Sequence, residues 1–124
     1  MSIAFTRVIP VLRIFSIERA REFYLDYLGL IVDWEHRFSD GMPLFMQVSG
    51  RGLILRLSEH HGDCSPGTAF HIQTTGVREF QAELAAKNYG FLNPTVEPAP
   101  QNALQMTLID PFGNRLHFRE LIGS

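Results

Sequence analysis

In the first part of the chain, the spacing of hydrophobic residues changes from the period of a strand to that of a helix. Residues 7–15 (RVIPVLRIF) are rich in branched apolar side chains, which predicts a strand. Pro10 cannot donate a ladder hydrogen bond, so this strand is expected either at a sheet edge or with one bond lost at that point. Ser16 then suits the N-cap of an amphipathic helix that Gly29 terminates. The apolar positions of that helix are Ile17, Ala20, Phe23, Tyr24, Tyr27 and Leu28.

Three more strands are predicted before the middle of the chain, at residues 30–38, 44–48 and 53–59. Glycine-containing turns at 39–43 and 49–52 separate them. The first half therefore reads β-α-β-β-β. Strict alternation in residues 30–38 places Leu30, Val32, Trp34 and Phe38 on one face, with Asp33, Glu35 and Arg37 on the other.

The same order of elements returns after a polar loop at residues 61–67. This second half is expected to contain a strand at 68–75, a helix from Gly76 to near Gly90, and strands at 91–96, 103–109 and 115–120, with a loop at 97–101.

A nearly constant offset relates the two halves. Leu12 matches Ile72 at 60 positions, whereas Leu57 matches Phe118 at 61, and an inserted residue near Tyr89 accounts for the slip. Ile17 with Val77, Gly29 with Gly90 and Leu55 with Leu116 follow the same rule.

The repeat predicts an α+β fold made of two tandem β-α-β-β-β modules that form a curved eight-stranded cleft. We expect one domain over residues 1–124, with module one at about 5–60 and module two at about 68–121. The apolar faces of two such half-open sheets must be buried together, which leaves the polar faces to line the cleft.

The length, charge and cysteine count of the chain argue against several functional classes. The chain has 124 residues, a net charge of −2 and a pI near 6.2, so a nucleic-acid partner is not expected. No signal-peptide run or membrane-length apolar stretch is present, which favours a cytoplasmic protein without a membrane partner. Cys64 is the single cysteine, so no internal disulfide is possible, and its use as a nucleophile is the less favoured interpretation.

Two segments carry a family resemblance, Ala20–Gly29 (AREFYLDYLG) and Asp110–Asn114 (DPFGN). With the doubled module, they resemble the vicinal-oxygen-chelate superfamily of glyoxalases, extradiol dioxygenases and bleomycin-resistance proteins. The stretch 28–38 and the short length look most like the bleomycin-resistance branch. That resemblance implies a homodimer that sequesters a cationic glycopeptide antibiotic of bleomycin type, without catalysis, cofactor or metal.

The positions that hold metal ligands in metal-using relatives correspond here to Ile9, Arg56, Ala69 and His117. Isoleucine and alanine cannot bind a metal ion, and arginine repels one, so the usual site is not expected. An alternative is a metal-dependent glyoxalase-like or dioxygenase-like enzyme with a relocated site at His71, His117 and His60.

Alternation defines the side chains expected to bind a small molecule in the cleft. They are Arg13, Trp34, Phe38, Arg56, Ser58, His71, Gln73 and His117, with Phe45 and Met46 as further stacking candidates. The sign of the cleft charge stays open, because acidic residues around Asp33 oppose the cleft arginines, which include Arg115 and Arg119.

Overall fold

A computed structural model describes residues 2–90 and 92–123 as an α+β fold with eight strands in two four-stranded sheets. No helix in this described part is long and apolar enough to span a membrane. The elements are β1 (Val11–Arg13), α1 (Ile17–Arg21) followed by a π-helical segment (Glu22–Tyr27), β2 (Ile31–His36), β3 (Phe45–Gly50), β4 (Leu53–Ser58), β5 (Ala69–Gln73), α2 (Val77–Ala85), β6 (Val96–Ala99), β7 (Ala103–Ile109) and β8 (Arg115–Leu121).

Strand order and register confirm the tandem repeat. The first sheet has the order β1-β4-β3-β2, and the second repeats it as β5-β8-β7-β6. Leu12 lies opposite Leu57 in the parallel pair β1–β4, and their counterparts Ile72 and Phe118 face each other in β5–β8. Equivalent positions therefore occupy equivalent places in both sheets.

The first helix begins as predicted but changes its winding after one turn. Ser16 caps it by accepting a hydrogen bond from the Arg19 amide at 3.2 Å. From Glu22 onward the turns widen, and the Leu28 amide donates to the Phe23 carbonyl, five residues back, at 2.9 Å. The predicted periodicity was right about the buried face, whereas the wider turn was not expected.

The second helix is shorter than predicted and ends at Ala85. Gly76 caps it in the left-handed region with φ of 78°, which glycine adopts without strain. Asn88 also has a positive φ of 53°, a conformation that cannot continue a helix toward Gly90.

Two strand predictions are corrected. The predicted strand at 7–15 is reduced to β1 at Val11–Arg13, with backbone hydrogen bonds to β4 continuing at Pro10 and Ile14, and β1 is an edge strand as Pro10 suggested. The strand predicted at 91–96 is found at Val96–Ala99, where the loop had been expected, and Phe91 lies outside the described residues. Pro98 is tolerated there because β6 is an edge strand.

A β-bulge in β2 overturns the predicted alternation of that strand. Val32 pairs with Val48 but Trp34 pairs with Gln47, so Asp33 is the extra residue. Asp33 accepts a hydrogen bond from the side chain of Gln47, the residue opposite Trp34, so Asp33 lies on the same face as Trp34. Val32 and Trp34 consequently lie on opposite faces of the sheet, contrary to the prediction.

The turn at Asp110–Asn114 joins the two halves. Tyr24 donates its hydroxyl to Asp110 Oδ2 at 2.6 Å, and Asn114 Nδ2 donates to the same oxygen at 2.8 Å. Asn114 Nδ2 also donates to the carbonyl of Arg13 at 3.0 Å. Burial and the neighbouring Asp110 raise the pKa of Tyr24, which therefore remains a neutral donor. This turn fixes helix one and strand β1 against the second sheet, so its sequence is explained by folding.

Candidate functional site

The polar face of the first sheet carries an aromatic patch with an arginine over it. Trp34 lies 5.6 Å from the Phe45 ring, and the Arg56 guanidinium carbon is 5.4 Å from the centre of the Trp34 ring. Arg56 Nε donates to Gln47 Oε1 at 3.1 Å, and Gln47 Nε2 donates to Asp33 Oδ2 at 3.0 Å. These contacts hold the tryptophan and arginine in a fixed orientation, and Trp34 keeps 37% of its surface exposed.

The other residues predicted to supply stacking surface on this face differ in their exposure. Phe38 is 85% exposed beyond the end of β2 and contacts His36 edge-on, with ring centres 5.0 Å apart. Met46 is fully buried in the core, so its predicted role as a stacking surface is wrong. Adjacent residues of a strand point to opposite faces, so Phe45 shares the polar face with Trp34 whereas Met46 faces the core.

Arg13 and Ser58 lie at the end of the first polar face that adjoins the loop after β4. Ser58 is fully buried and donates its hydroxyl to Asp63 Oδ2 at 2.6 Å, while it accepts from the His60 amide at 3.0 Å. Arg13 donates to the Glu59 carbonyl and lies over the Phe15 ring at 4.8 Å. Both predicted ligand residues therefore already have partners within the chain.

The second polar face carries the stacked pair His71 and His117, with ring centres 4.9 Å apart. Thr107 Oγ1 lies 2.8 Å and Gln105 Nε2 lies 3.3 Å from Nδ1 of His117. An amide donor beside Nδ1 favours the tautomer with the proton on Nε2. Burial, then the neighbouring His71 and Arg115, lower the pKa of His117 below 6.5, so this ring is neutral at pH 7.

The arginines predicted for the cleft differ in their availability. Arg119 donates to the Pro100 carbonyl and to Gln101 Oε1, so the β6–β7 turn holds its guanidinium. Arg115 is exposed opposite Ala69, and Gln73 is exposed at the other end of β5, opposite Arg119. The first polar face thus offers an acid and an aromatic ring, whereas the second offers imidazoles, amides and an exposed arginine.

The three histidines of the alternative metal site are not assembled in one chain. His60 lies in the loop after β4, where its Nδ1 accepts from the Gly62 amide at 3.1 Å and lies 3.7 Å from Asp63. His71 and His117 belong to the other sheet. Within residues 2–90 and 92–123, no three His, Cys, Asp or Glu side chains lie close enough to hold a metal ion.

Cys64 does not show the surroundings of an activated thiol. Burial and the nearby Asp63 raise its pKa, and Arg13 only partly opposes them. The thiol is therefore protonated at neutral pH. His60 and His61 stack on each other, with ring centres 5.4 Å apart.

Sequence reasoning missed three residues that support the polar faces. Gln47 links Asp33 to Arg56 in the first sheet, and Gln105 with Thr107 supports His117 in the second. Alternation along β3 and β7 points to all three, since they lie two residues from other members of the same faces.

A family model with the description "Glyoxalase superfamily protein" matches residues 1–123 of this chain. The chain belongs to the glyoxalase superfamily. The matched range includes both polar faces and the turn that joins the modules. No curated protein sequence matches this glyoxalase-superfamily chain.

Solved structures of the same architecture include antibiotic-binding proteins. A bleomycin-binding protein from bleomycin-producing Streptomyces verticillus, solved with copper(II)-bleomycin, is 24% identical and has a TM-score of 0.72, with 99% of this chain and 100% of that chain covered. An antibiotic-binding protein from Streptomyces sp. CB03234 is 16% identical with a TM-score of 0.68, covering 98% and 100%. A putative glyoxalase family protein from Bacillus anthracis is 18% identical with a TM-score of 0.67, also covering 98% and 100%. At sequence identities of 16–24%, similarity to these solved structures establishes the fold of this chain and nothing more.

Proposed function

We propose that this chain is a non-catalytic small-molecule-binding protein of the bleomycin-resistance type. It sequesters an antibiotic in clefts at a homodimer interface and uses no metal or cofactor. The observation that carries the proposal is the exposed Trp34 ring, held between Phe45 and Arg56 on a sheet face that one chain leaves uncovered.

The chemistry of the first polar face suits a planar, positively charged ligand. Trp34 and Phe45 offer ring surface for stacking, and Asp33 places a carboxyl group beside them. The solved relatives that bind bleomycin or another antibiotic share this fold, which supports a ligand of that kind here.

Dimerisation explains why the polar faces and the N-terminal arm are exposed in one chain. Hydrogen bonds and ring contacts of each polar face join strands of the same sheet, for example Arg56 to Gln47 and Thr107 to His117. Ile3, Phe5 and Val8 of the arm are 86%, 97% and 89% exposed, a pattern that a second copy would cover. If the first polar face of one copy lay over the second polar face of its partner, the two faces would enclose the ligand.

Calorimetric titration with metal-free bleomycin tests this proposal. We expect saturable heat with a Kd of about 1 µM or tighter. Trp34 is the single tryptophan, so its fluorescence should change over the same concentrations. Absence of heat at about 50 µM ligand would reject bleomycin as the ligand type.

A pair of variants separates the site from non-specific binding. Trp34→Ala should weaken bleomycin binding about tenfold or more, because it removes the stacking surface. Met42→Ala, which truncates an exposed apolar side chain in the turn before β3, should leave it unchanged. Stoichiometric zinc, nickel, manganese or iron in untagged protein would instead favour the enzymatic alternative.

A further inference from the structure

A polar groove of about 360 Å³ lies at the β6–β7 end of the second polar face. Glu97 on β6 pairs with Gln105 on β7, and Thr95 and Thr107 lie two residues from them on the same side. All four side chains line the groove. Because Gln105 and Thr107 also contact His117, the groove is continuous with the rest of the second polar face.

The walls of the groove are held in place on both sides of β6. Before the strand, Gln81 on α2 donates its side-chain amide to the carbonyl of the buried Pro94 at 3.2 Å. After the strand, the Arg119 guanidinium donates to the Pro100 carbonyl and to Gln101 Oε1. The groove is therefore a fixed feature of the fold.

The hydrogen bonds already made in the groove leave two acceptor oxygens available. Gln105 Nε2 donates to Thr107 Oγ1 and to His117 Nδ1, each at 3.3 Å, so the side-chain carbonyl oxygen of Gln105 has no partner among the described residues. Glu97 accepts from Thr95 through Oε1 at 3.3 Å, and within the same part of the chain Oε2 has no partner. Residues opposite each other in antiparallel strands have Cβ atoms about 5 Å apart, so these two acceptors lie close together.

The lining of the groove suits a neutral group that donates hydrogen bonds. Among the described residues that line it, Glu97 is the single charged one, and because it is exposed, water and salt screen its attraction for a cation. None of those residues is aromatic, so a planar ligand has no ring to stack on there.

Adjacent hydroxyl groups of a sugar ring match the hydrogen-bonding groups in this lining. Each hydroxyl can donate to one of the two acceptor oxygens and still accept from the side-chain amide of Asn93, which also lines the groove. The rings of Pro94 and Pro98 provide uncharged C–H surface beside these groups. An ammonium group could only donate, and it would leave the amide without an acceptor.

We propose that the groove between β6 and β7 is a saccharide subsite of the antibiotic cleft, where adjacent hydroxyl groups donate to the side-chain oxygens of Gln105 and Glu97. This inference rests on the proposed function for the ligand that carries the sugar. The planar, cationic part of that ligand stacks on Trp34 of one copy, and its sugar occupies the groove of the second copy. Gln105 and Glu97 therefore determine specificity for glycosylated ligands.

Calorimetric titration with metal-free bleomycin and with its aglycone, which lacks the disaccharide, tests the subsite within the cleft. We expect wild-type protein to bind bleomycin about tenfold more tightly than the aglycone, as two additional hydrogen bonds would provide. Gln105→Met keeps the length of the side chain without its acceptor, so it should weaken bleomycin about fivefold and leave the aglycone unchanged. Equal affinities of wild-type protein for the two ligands, or an equal loss of both in Gln105→Met, would overturn the proposal.

Two variants of Glu97 separate a sugar from a cation in the groove. Glu97→Ala should weaken bleomycin about fivefold relative to the aglycone, whereas Glu97→Gln should recover most of that loss, because an amide oxygen still accepts from a hydroxyl. A cationic occupant would leave Glu97→Gln as weak as Glu97→Ala, and that result would overturn the saccharide assignment. Glu18→Gln, at an exposed carboxylate of α1, is the matched control and should bind both ligands as wild type does.

A free sugar distinguishes a failure of this subsite from a failure of the antibiotic proposal. NMR titration of the ¹⁵N-labelled full chain with methyl mannoside should shift the side-chain amide signals of Gln105 and Asn93 with a Kd of about 10 mM. N-acetylglycinamide, a neutral amide, should not shift them. Shifts with the sugar in a protein that does not bind bleomycin would reject the antibiotic and support the groove. No shift at about 100 mM sugar, or equal shifts with the amide, would overturn the groove whether or not bleomycin binds.

Discussion

Whether a side chain of the two polar faces is available to a ligand depends on its immediate partners more than on its own chemical type. His117 is neutral because it is partly buried and faces His71 and Arg115. Asp33 is fixed by Gln47 and by Ser49, whose hydroxyl donates to it at 2.9 Å. Ser58 is unavailable because the loop after β4 uses both hydrogen-bonding functions of its hydroxyl. Availability for a ligand is therefore decided residue by residue.

His117 should titrate below the ordinary histidine value. Because burial is the largest cause and His71 the second, His71→Asn should raise the pKa of His117 only part of the way to 6.5. The folded state binds this proton less readily than the unfolded state. The contribution of His117 to stability is therefore present above pH 6.5 and lost as pH falls through its lower folded pKa.

NMR titration of the imidazole signals measures both effects, with His117→Gln used to assign the resonance. A His117 pKa at or above 6.5 in the wild-type chain would contradict the described packing.

Asp33 should contribute to binding of a cationic ligand through its charge. Asp33→Asn keeps the shape of the side chain and should weaken the binding of such a ligand about fivefold at low ionic strength. Glu35→Gln is the matched control, since Glu35 lies two residues away and pairs with Arg21 on the helix side of the sheet. Calorimetry at two salt concentrations checks the result, and an equal loss in both variants would argue against a local role for Asp33.

At the scale of elements, the ends of the two helices are held by residues that are distant in the sequence. Glu120 on β8 accepts hydrogen bonds from the first amides of α2, and this supplies the side-chain cap that Gly76 lacks. Lys87, after α2, donates to the Tyr27 carbonyl at 2.7 Å and so contacts the end of the first helix. The helix ends are therefore tertiary features as well as local ones.

Replacement of Glu120 should make α2 less stable in a pH-dependent way. The Val77 and Gly76 amides lower the pKa of Glu120 below 4.5, so its contribution is present above that pH and lost as pH falls through the folded value. Glu120→Gln should lower the melting temperature at pH 7 by about 4 °C, with a smaller difference near pH 3.

Thermal unfolding followed by circular dichroism across this pH range measures the effect. Asp40→Asn, in the exposed turn before β3, is the control and should behave as wild type at every pH. A Glu120→Gln deficit that stays constant down to pH 3 would exclude the charged cap as its cause.

At the scale of the whole molecule, the two halves share one hydrophobic core but keep separate sheets. Core residues such as Leu12 and Leu57 belong to the same cluster as Leu116 and Phe118. The polar faces and the apolar N-terminal arm remain exposed in one chain, which is the basis for the proposed homodimer.

Sedimentation velocity should therefore show a concentration-dependent dimer. Phe5→Asp should weaken dimerisation about tenfold or more, because it introduces a charge into the apolar arm. Met42→Asp, at an exposed apolar residue outside the arm, should leave the dimer intact. A wild-type chain that stays monomeric at about 100 µM would refute the dimer.

The sequence predicted those features that follow from local periodicity. The repeat, the buried helix faces and the placement of His71 and His117 on one polar face all followed from spacing, because Leu12 and Ile72, or the two histidines, occupy regular positions. That the two imidazoles stack was not predicted. The bulge at Asp33 was not predictable, since an extra residue in an edge strand has no hydrophobic signature. The burial of Asp110 was equally hidden, because its partner Tyr24 is 86 residues away.

The bulge in β2 has a consequence for altering the specificity of this surface. Asp33 is the unpaired residue between two regular stretches of ladder, so its deletion would leave Trp34 opposite Gln47 and His36 opposite Phe45. The aromatic ring would keep its place while the carboxyl group disappeared. Shortening an edge strand by a single residue would thus remove the carboxyl group and leave the Arg56 guanidinium over Trp34, so the surface would attract anions instead of cations without disturbing the interior of the protein.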